Sequence, residues 1–346
     1  MMRDGAATLG VQAPLRSRPK LMMGLLLGLA LLGLCGFTSI LYGAADLNLT
    51  TIYQAVFAFD GSVNHLIVRT IRLPRTLIAL SVGACLGVAG AVMQALTRNP
   101  LADPQILGIN AGAALVLVTT IVFFPATPFS LYPGLAFVGG GIAAVTVMVL
   151  GTVGGHGLNP IRLTIAGAAI TALLASLTTG LLILNQRALD EIRFWLSGSV
   201  AGREFPLLLQ VLPYMGVGLG VAFSFSHALT TLNLGDDVAK GLGQRTAWVK
   251  VSAALSVVVL AGSCVAIAGP IGFVGLVVPH VVRFFVGVDY RWILPYAFVL
   301  GGILLLLADI SARLIIKPQE LPVGIMMALV GAPFFIYLAR WQGKRG

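Results

Sequence analysis

Long uncharged runs alternate along the chain with short polar connections. Residues 21–45 and 76–97 carry no charged side chain, and each is long enough for a helix across a hydrocarbon layer, which takes about 20 residues. Residues 104–161 contain no Asp, Glu, Lys or Arg and only His156 besides, and are too long for one crossing. The stretch "PATPFSLYP" divides them, because its prolines and polar cluster make a turn. Further runs lie at about 163–185, 206–225, 251–268, 292–312 and 321–339. The segment "GPIGFVGLVVPHVVRFF" (Gly269–Phe285) is ambiguous. Its prolines and glycines also suit a re-entrant stretch.

Parity resolves the count. Arg3, Arg16, Arg18 and Lys20 precede the first run, and Arg340, Lys344 and Arg345 follow the last. Basic flanks belong on the cytoplasmic side, so the number of crossings is even. The expectation is an all-α polytopic membrane protein with ten transmembrane helices and both termini cytoplasmic. Residues 1–20 form a basic cytoplasmic segment and residues 21–346 one domain, with a polar loop at about 226–250. The run Leu21–Gly43 exceeds the roughly 7–15 residues of a signal-peptide core, so it reads as a helix that stays.

Composition agrees. Of 346 residues, 58% are hydrophobic and only 10% charged, against about 25% charged in a soluble domain. The net charge of +10 would suggest nucleic acid in a soluble protein. Here the basic residues sit between apolar runs, where topology accounts for them and no nucleic-acid partner is implied. Fourteen Lys and Arg fall inside and eight outside. The outer ones cluster: Arg69, Arg72 and Arg75; Arg187, Arg193 and Arg203; Arg313 and Lys317. Arg72 and Arg75 flank Pro74, which suits a first helical turn. A cation there would oppose the helix dipole as well as the topology rule.

Chemistry is sparse. There is no H-E-x-x-H, G-x-S-x-G or G-x-x-x-x-G-K-[ST], so neither an intramembrane hydrolase nor a P-loop ATPase is indicated. An ion-coupled carrier usually places ionisable groups near the bilayer midplane. Here only Asp309 approaches the interior, near an outer helix end. Cys35, Cys85 and Cys264 have no metal or disulfide spacing. A faint echo links "CLGVAG" (Cys85–Gly90) and "CVAIAG" (Cys264–Gly269), on runs of opposite direction, as an inverted repeat requires. In the polar loop, Asp236 can cap a short helix that Gly241 or Gly243 ends. Val238, Ala239 and Leu242 give that helix a small apolar face, either a solvated surface or a docking element.

Four ordered blocks then carry a resemblance: "RLPRTLIALSVGACLGVAGAVMQALTRNPLADPQILGINAGA" (Arg72–Ala113), "LGDDVAKGLG", "GPIGFVGLVVPHVVR" and "ADISARL…ELPVGIMMALVGAPFFIYL". They resemble the FecCD-type permeases of ABC importers for iron(III)-siderophores, haem and cobalamin, over nearly all the chain from about residue 21. The resemblance implies a non-enzymatic, multi-pass subunit of the bacterial inner (plasma) membrane. It implies four kinds of partner: a second permease, identical or a similar paralogue; two ATP-binding-cassette ATPases, which carry ATP and Mg; an extracytoplasmic binding protein; and the lipid bilayer. No cofactor or metal is expected on this chain. An iron(III)-siderophore is the expected cargo. Cobalamin or haem is the alternative, and a secondary carrier a more distant one.

Residue by residue, the resemblance assigns binding-protein docking to Arg72, Arg75 and Arg313, with lipid-phosphate anchoring as the alternative. It assigns ATPase coupling to Gly235, Asp236, Ala239, Leu242 and Gly243. Cytoplasmic gating falls on Asn99, Leu101, Asn159 and Pro160, which otherwise read as loop caps. Pro160 sits where hydroxyl residues can occur in the family. Gln94 and His280 are expected to be internal hydrogen-bonding groups rather than iron ligands.

Overall fold

A computed structural model describes residues 17–43, 48–153, 159–316 and 319–343. The basic residues Arg3, Arg16, Lys317, Lys344 and Arg345 lie outside the described residues. Fifteen α-helices follow in order: α1 Arg18–Leu41, α2 Leu49–Phe57, α3 Val63–Leu66, α4 Leu73–Thr97, α5 Ile109–Phe123, α6 Tyr132–Thr152, α7 Pro160–Leu184, α8 Gln186–Leu196, α9 Phe205–Ser224, α10 Ser226–Leu232, α11 Asp236–Gly241, α12 Thr246–Ala268, α13 Val274–Val286, α14 Tyr290–Leu314 and α15 Val323–Gly343. No strand occurs among the described residues. Among the described residues seven helices are long and apolar enough to cross a membrane, and the apolar segments Ile109–Phe123, Val274–Val286 and Val323–Ile336 are shorter. Each run read from the sequence holds one of these helices. The doubtful run at Gly269 becomes a non-helical entry followed by α13.

The chain is arranged around α4. Twenty of its residues are buried, and α12 and α14 are mostly interior, whereas α1 and α7 are peripheral. Small residues permit this crowding. A Cβ on Gly83 would lie 2.3 Å from the Gly301 carbonyl oxygen of α14, and one on Gly87 2.4 Å from that of Ala297. On Gly90 it would lie 2.0 Å from the Gly275 oxygen of α13. Backbone therefore packs against backbone along one face of α4.

Two local readings are corrected. Pro74 does not start a helix: one continuous helix runs Val63–Thr97, with a π-helical stretch at Ile67–Arg72. Proline inside an α-helix lacks a donor and clashes with the carbonyl four residues back. The wider π turn just before it relieves both problems. Arg72 and Arg75 thus lie within a helix, and the argument from an opposed helix terminus lapses. Asp236 is not a cap either. Gly235, at φ 122°, occupies the cap of α11, and Asp236 is its first residue.

The helix breaks support one another. The Ser199 amide donates to the Ala268 carbonyl (2.8 Å) and the Gly324 amide to that of Gly198 (3.0 Å). Backbone that leaves a helix within an apolar bundle must find such partners. The echo noted above also has a spatial counterpart. It falls on α4 and α12, which pack together, and Cys264 lies against Cys85 at their contact. All three cysteines are free and buried.

Candidate functional site

At one end of α4, Arg72, Arg75 and Arg313 come together with Asp309 and Glu320. Arg75 donates through Nε to both Asp309 oxygens (3.1 Å each), through Nη2 to Oδ1 (2.9 Å) and through Nη1 to Glu320 Oε2 (2.6 Å). Asp309 is also paired with Arg313 Nη2 at 2.9 Å. Arg313 Nη1 donates to the carbonyls of Ser39 (2.9 Å) and Tyr42 (2.7 Å). Arg72 Nη1 donates to those of Ile40 (2.8 Å) and Leu41 (2.7 Å). These carbonyls belong to the last turn of α1 and its cap, where carbonyls lack a partner within the helix and carry the negative end of the dipole. The three arginines are 4–7% exposed, and Asp309 only 1%. The predicted docking residues therefore do gather in one place, but they are buried and joined to partners of their own chain. Glu320 is the accessible member, with its side chain 32% exposed.

Arg69 folds back instead. It donates to the carbonyls of Ala55 (2.6 Å) and Val56 (3.0 Å) and lies over the Phe59 ring.

The second cluster sits at the far end of α4, roughly 37 Å away at 1.5 Å per residue. Arg98 ends α4 in a left-handed conformation (φ 48°) and donates to Asp236 Oδ1. Lys250 of α12 pairs with Asp236 Oδ2 at 2.6 Å. Burial works against the Asp236 charge, but the bond to Lys250 and the fields of Lys250, Arg98 and Lys240 outweigh it. The carboxyl is held below its ordinary range. Asp236 thus ties α11 to α4 and α12. Neither Arg98 nor Lys250 was singled out from sequence, because only the fold joins them to Asp236. In α11, Ala239 is fully buried and Val238 is 49% exposed, while Leu242, the residue that caps its end, is 69% exposed. The short helix keeps an unpartnered apolar edge, and Gly243 (φ 80°) turns the chain away.

A separate polar chain starts on α10. The Tyr290 amide donates to Thr230 Oγ1 of α10 (2.9 Å). Arg283 of α13 donates to the Tyr290 hydroxyl (3.1 Å) and to Gln94 Oε1 of α4 (2.5 Å). Gln94 Nε2 donates to the Gly275 carbonyl (3.2 Å). Gln94 is internal, as expected. His280 is not bonded among the described residues and meets the Phe334 ring edge-on at 5.8 Å.

The proposed gate residues serve local geometry. Asn99 accepts from the Leu101 amide (2.9 Å). Asn159 caps α7 by accepting from Ile161 (3.0 Å) and Arg162 (3.3 Å), and Pro160 is the first residue of that helix. Asn159 and Pro160 face Leu96 and Thr97 at the end of α4 across a small pocket; Asn99 and Leu101 do not line it. Among the described residues no three His, Cys, Asp or Glu side chains are grouped so as to hold a metal ion.

Likeness to known proteins extends over most of this architecture. The model of the FecCD transport family matches residues 31–341. The probable siderophore transport system permease YfiZ of Bacillus subtilis is 49% identical over 306 residues, 88% of this chain and 92% of that protein. The ferric enterobactin transport system permease FepD of Escherichia coli is 42% identical, covering 89% and 92%. The iron(3+)-hydroxamate permease FhuB of B. subtilis is 46% identical, covering 93% and 84%. A solved structure described as an inward-facing metal-chelate type ABC transporter superposes with a TM-score of 0.80 at 30% identity, covering 93% of this chain and 99% of its own.

Proposed function

Because the chain belongs to the FecCD transport family, we propose that it is the permease subunit of a binding-protein-dependent ABC importer that carries an iron(III)-siderophore across the bacterial inner membrane. The seven long and three shorter apolar helices make ten crossings in this reading. Both termini lie in the cytoplasm, with the Asp236 end of α4 inside and the Arg75 end outside. A second permease completes the pathway, and two ATPase subunits bind ATP and Mg. This chain is not an enzyme and carries no cofactor of its own.

The observation that carries the reading is the construction of α11. A six-residue helix with exposed Val238 and Leu242 has too little buried surface to be an ordinary packing element. Yet it is tied by ions to two interior helices. That suits a lever: an ATPase groove takes the apolar edge, and Asp236 passes the displacement to Arg98 of α4 and Lys250 of α12. The Thr230–Tyr290–Arg283–Gln94 chain then gives a second line toward α13 and α4. In this cycle the polar turns at Asn99–Leu101 and Asn159–Pro160, beside the inner end of α4, form the cytoplasmic gate. The test is co-purification of the ATPase with Leu242→Asp. The lever account expects the ATPase to be lost while the permease still folds; full retention of the ATPase and of uptake would count against it.

Docking of a binding protein falls on the opposite end. The cluster holds three guanidiniums against two carboxylates, a surplus of one positive charge. Its accessible component is the Arg75–Glu320 contact. An acidic group of the partner engages the cluster by competing with Glu320 for Arg75, while Arg72 and Arg313 hold the frame against α1.

A further inference from the structure

On the outer end of the bundle one cation stands apart. Among the described residues Arg203, in the connection before α9, makes no hydrogen bond or ion pair, and its Nε is buried without a partner. Burial alone moves its guanidinium, pushing it down from the ordinary value, with no carboxylate to offset the cost. The adjacent Glu204 makes no ion pair with it although both line one cleft, and the other carboxylates nearby are taken. Glu320 accepts from Arg75 at 2.6 Å and Glu191 from Arg187 at 2.8 Å. The other guanidinium in the neighbourhood, Arg69, spends its donors on backbone carbonyls. A partly buried guanidinium with its fork unused has lost water without gaining a counter-charge, a costly arrangement unless something else supplies the acceptor.

Two clefts show where that acceptor comes. One, of about 500 Å3, lies between Arg203 and the Arg69–Pro74 stretch. The other, of about 420 Å3, opens between Arg203, the end of α8 and Pro322. Arg203 and Gly202 line both. These volumes are those of small-molecule sites rather than ion sites. The second cleft is walled by aromatic rings: Phe129 and Tyr132, with centroids 5.0 Å apart, and Phe194 and Trp195 of α8.

We propose that Arg203 is a specificity-determining contact for an anionic iron(III) chelate at the outer mouth of the permease, and that the rings beside it favour catecholate-type ligands. The inference rests on the importer reading and deepens it. A planar guanidinium fork matches paired oxygens such as those of catecholate or carboxylate. Three catecholates on iron(III) leave a trianion with three aromatic faces. Three hydroxamates leave a neutral complex with no charge for Arg203 to meet.

The experiment is uptake of radioactive iron by proteoliposomes holding the complete transporter, its ATPase and its binding protein. Ferric tris-catecholate and ferric tris-hydroxamate chelates are offered separately to wild type, Arg203→Gln and Arg203→Lys. The proposal expects wild type to take up the catecholate. Arg203→Gln lowers that uptake about tenfold or more, the scale of one lost charge-assisted hydrogen bond. Arg203→Lys, which keeps the charge but not the planar fork, falls between wild type and Arg203→Gln, and the binding protein's affinity is the same for all three. Gel filtration of the assembled complex reports folding. If Arg203→Gln does not assemble, Arg203→Lys decides: reduced catecholate uptake supports the assignment and unchanged uptake overturns it. Uptake confined to the neutral chelate, unchanged uptake by Arg203→Gln, or a parallel loss of binding-protein affinity would each overturn the assignment, the last by making Arg203 a protein-docking contact. Absence of ATP-dependent uptake of any chelate by wild type would instead remove the importer reading itself.

Discussion

Asp236, the first residue of α11, receives Arg98 from the end of α4 on one carboxylate oxygen and Lys250 of α12 on the other. One side chain on a six-residue helix thus holds two interior helices at once. The link is partly exposed, so its worth lies less in stability than in direction. It ties α11 to the Arg98 end of α4 and the Lys250 end of α12.

Asp236→Asn should therefore uncouple rather than unfold. We expect the complex to assemble and ATP to be hydrolysed, with chelate carried per ATP reduced about five- to tenfold, corresponding to a coupling free energy of ~1–1.4 kcal/mol. Simultaneous uptake and phosphate-release assays check this. A ratio equal to wild type would show that the link is idle.

The same carboxylate has a definite pH dependence. Its pKa in the folded chain is depressed below the ordinary 3.8. Its contribution is therefore fully present above that value and is lost only as pH falls through the folded pKa. Between pH 5 and 8 the transport-to-hydrolysis ratio should show no titration attributable to Asp236, and Asp236→Asn should lower it equally throughout. A wild-type ratio that falls between pH 7 and 5, with no such fall in the variant, would contradict the assignment.

Asp309 sits between two buried guanidiniums. Removing a buried counter-ion while leaving its partners typically costs about 3–5 kcal/mol. Asp309→Ala should markedly lower the thermal unfolding midpoint in detergent and reduce yield. Glu320→Gln, at the accessible end of the cluster, should cost far less and should tighten binding-protein docking by freeing Arg75. Surface-plasmon measurements at low salt check the second half: weaker docking by Glu320→Gln would mean that Glu320 is itself a docking contact.

The glycines divide by what surrounds them. At Gly90 an added Cβ would sit 2.0 Å from the Gly275 oxygen, whereas at Gly216 of α9 nothing lies within 4 Å. Gly90→Ala should spread α4 from α13 and abolish folded yield. Gly216→Ala should be tolerated and gain up to about 1 kcal/mol of helix propensity. Fluorescence-detected gel filtration distinguishes the two.

Much of the architecture was legible because lipid imposes a strong rule: backbone in hydrocarbon must be helical, so uncharged runs name helices directly. The short helices outside such runs were not. α8 is amphipathic and polar in composition, and its position beside the Pro322 region depends on breaks in three distant segments. The π turn before Pro74 was also invisible, because proline at a helix start and proline after a widened turn have the same local sequence. Arg72, Arg75 and Arg313 were joined into one group only by the family resemblance, and their burial was not legible. The residue that neutralises two of them, Asp309, lies 234 positions from Arg75, and charge counting does not pair residues so far apart. Asp236 was singled out for the wrong local reason, as a cap, and its ion pairs to Arg98 and Lys250 emerge only from the fold.

The most direct test of the importer account is ATP hydrolysis by this chain assembled with its ATPase subunits and binding protein in lipid, titrated with ferric siderophores, haem and cobalamin. The account predicts stimulation by a ferric siderophore, only with the binding protein present, and its loss when Leu242→Asp is introduced. A chain that assembles with no ATPase, and whose transport instead collapses with an uncoupler, would contradict it.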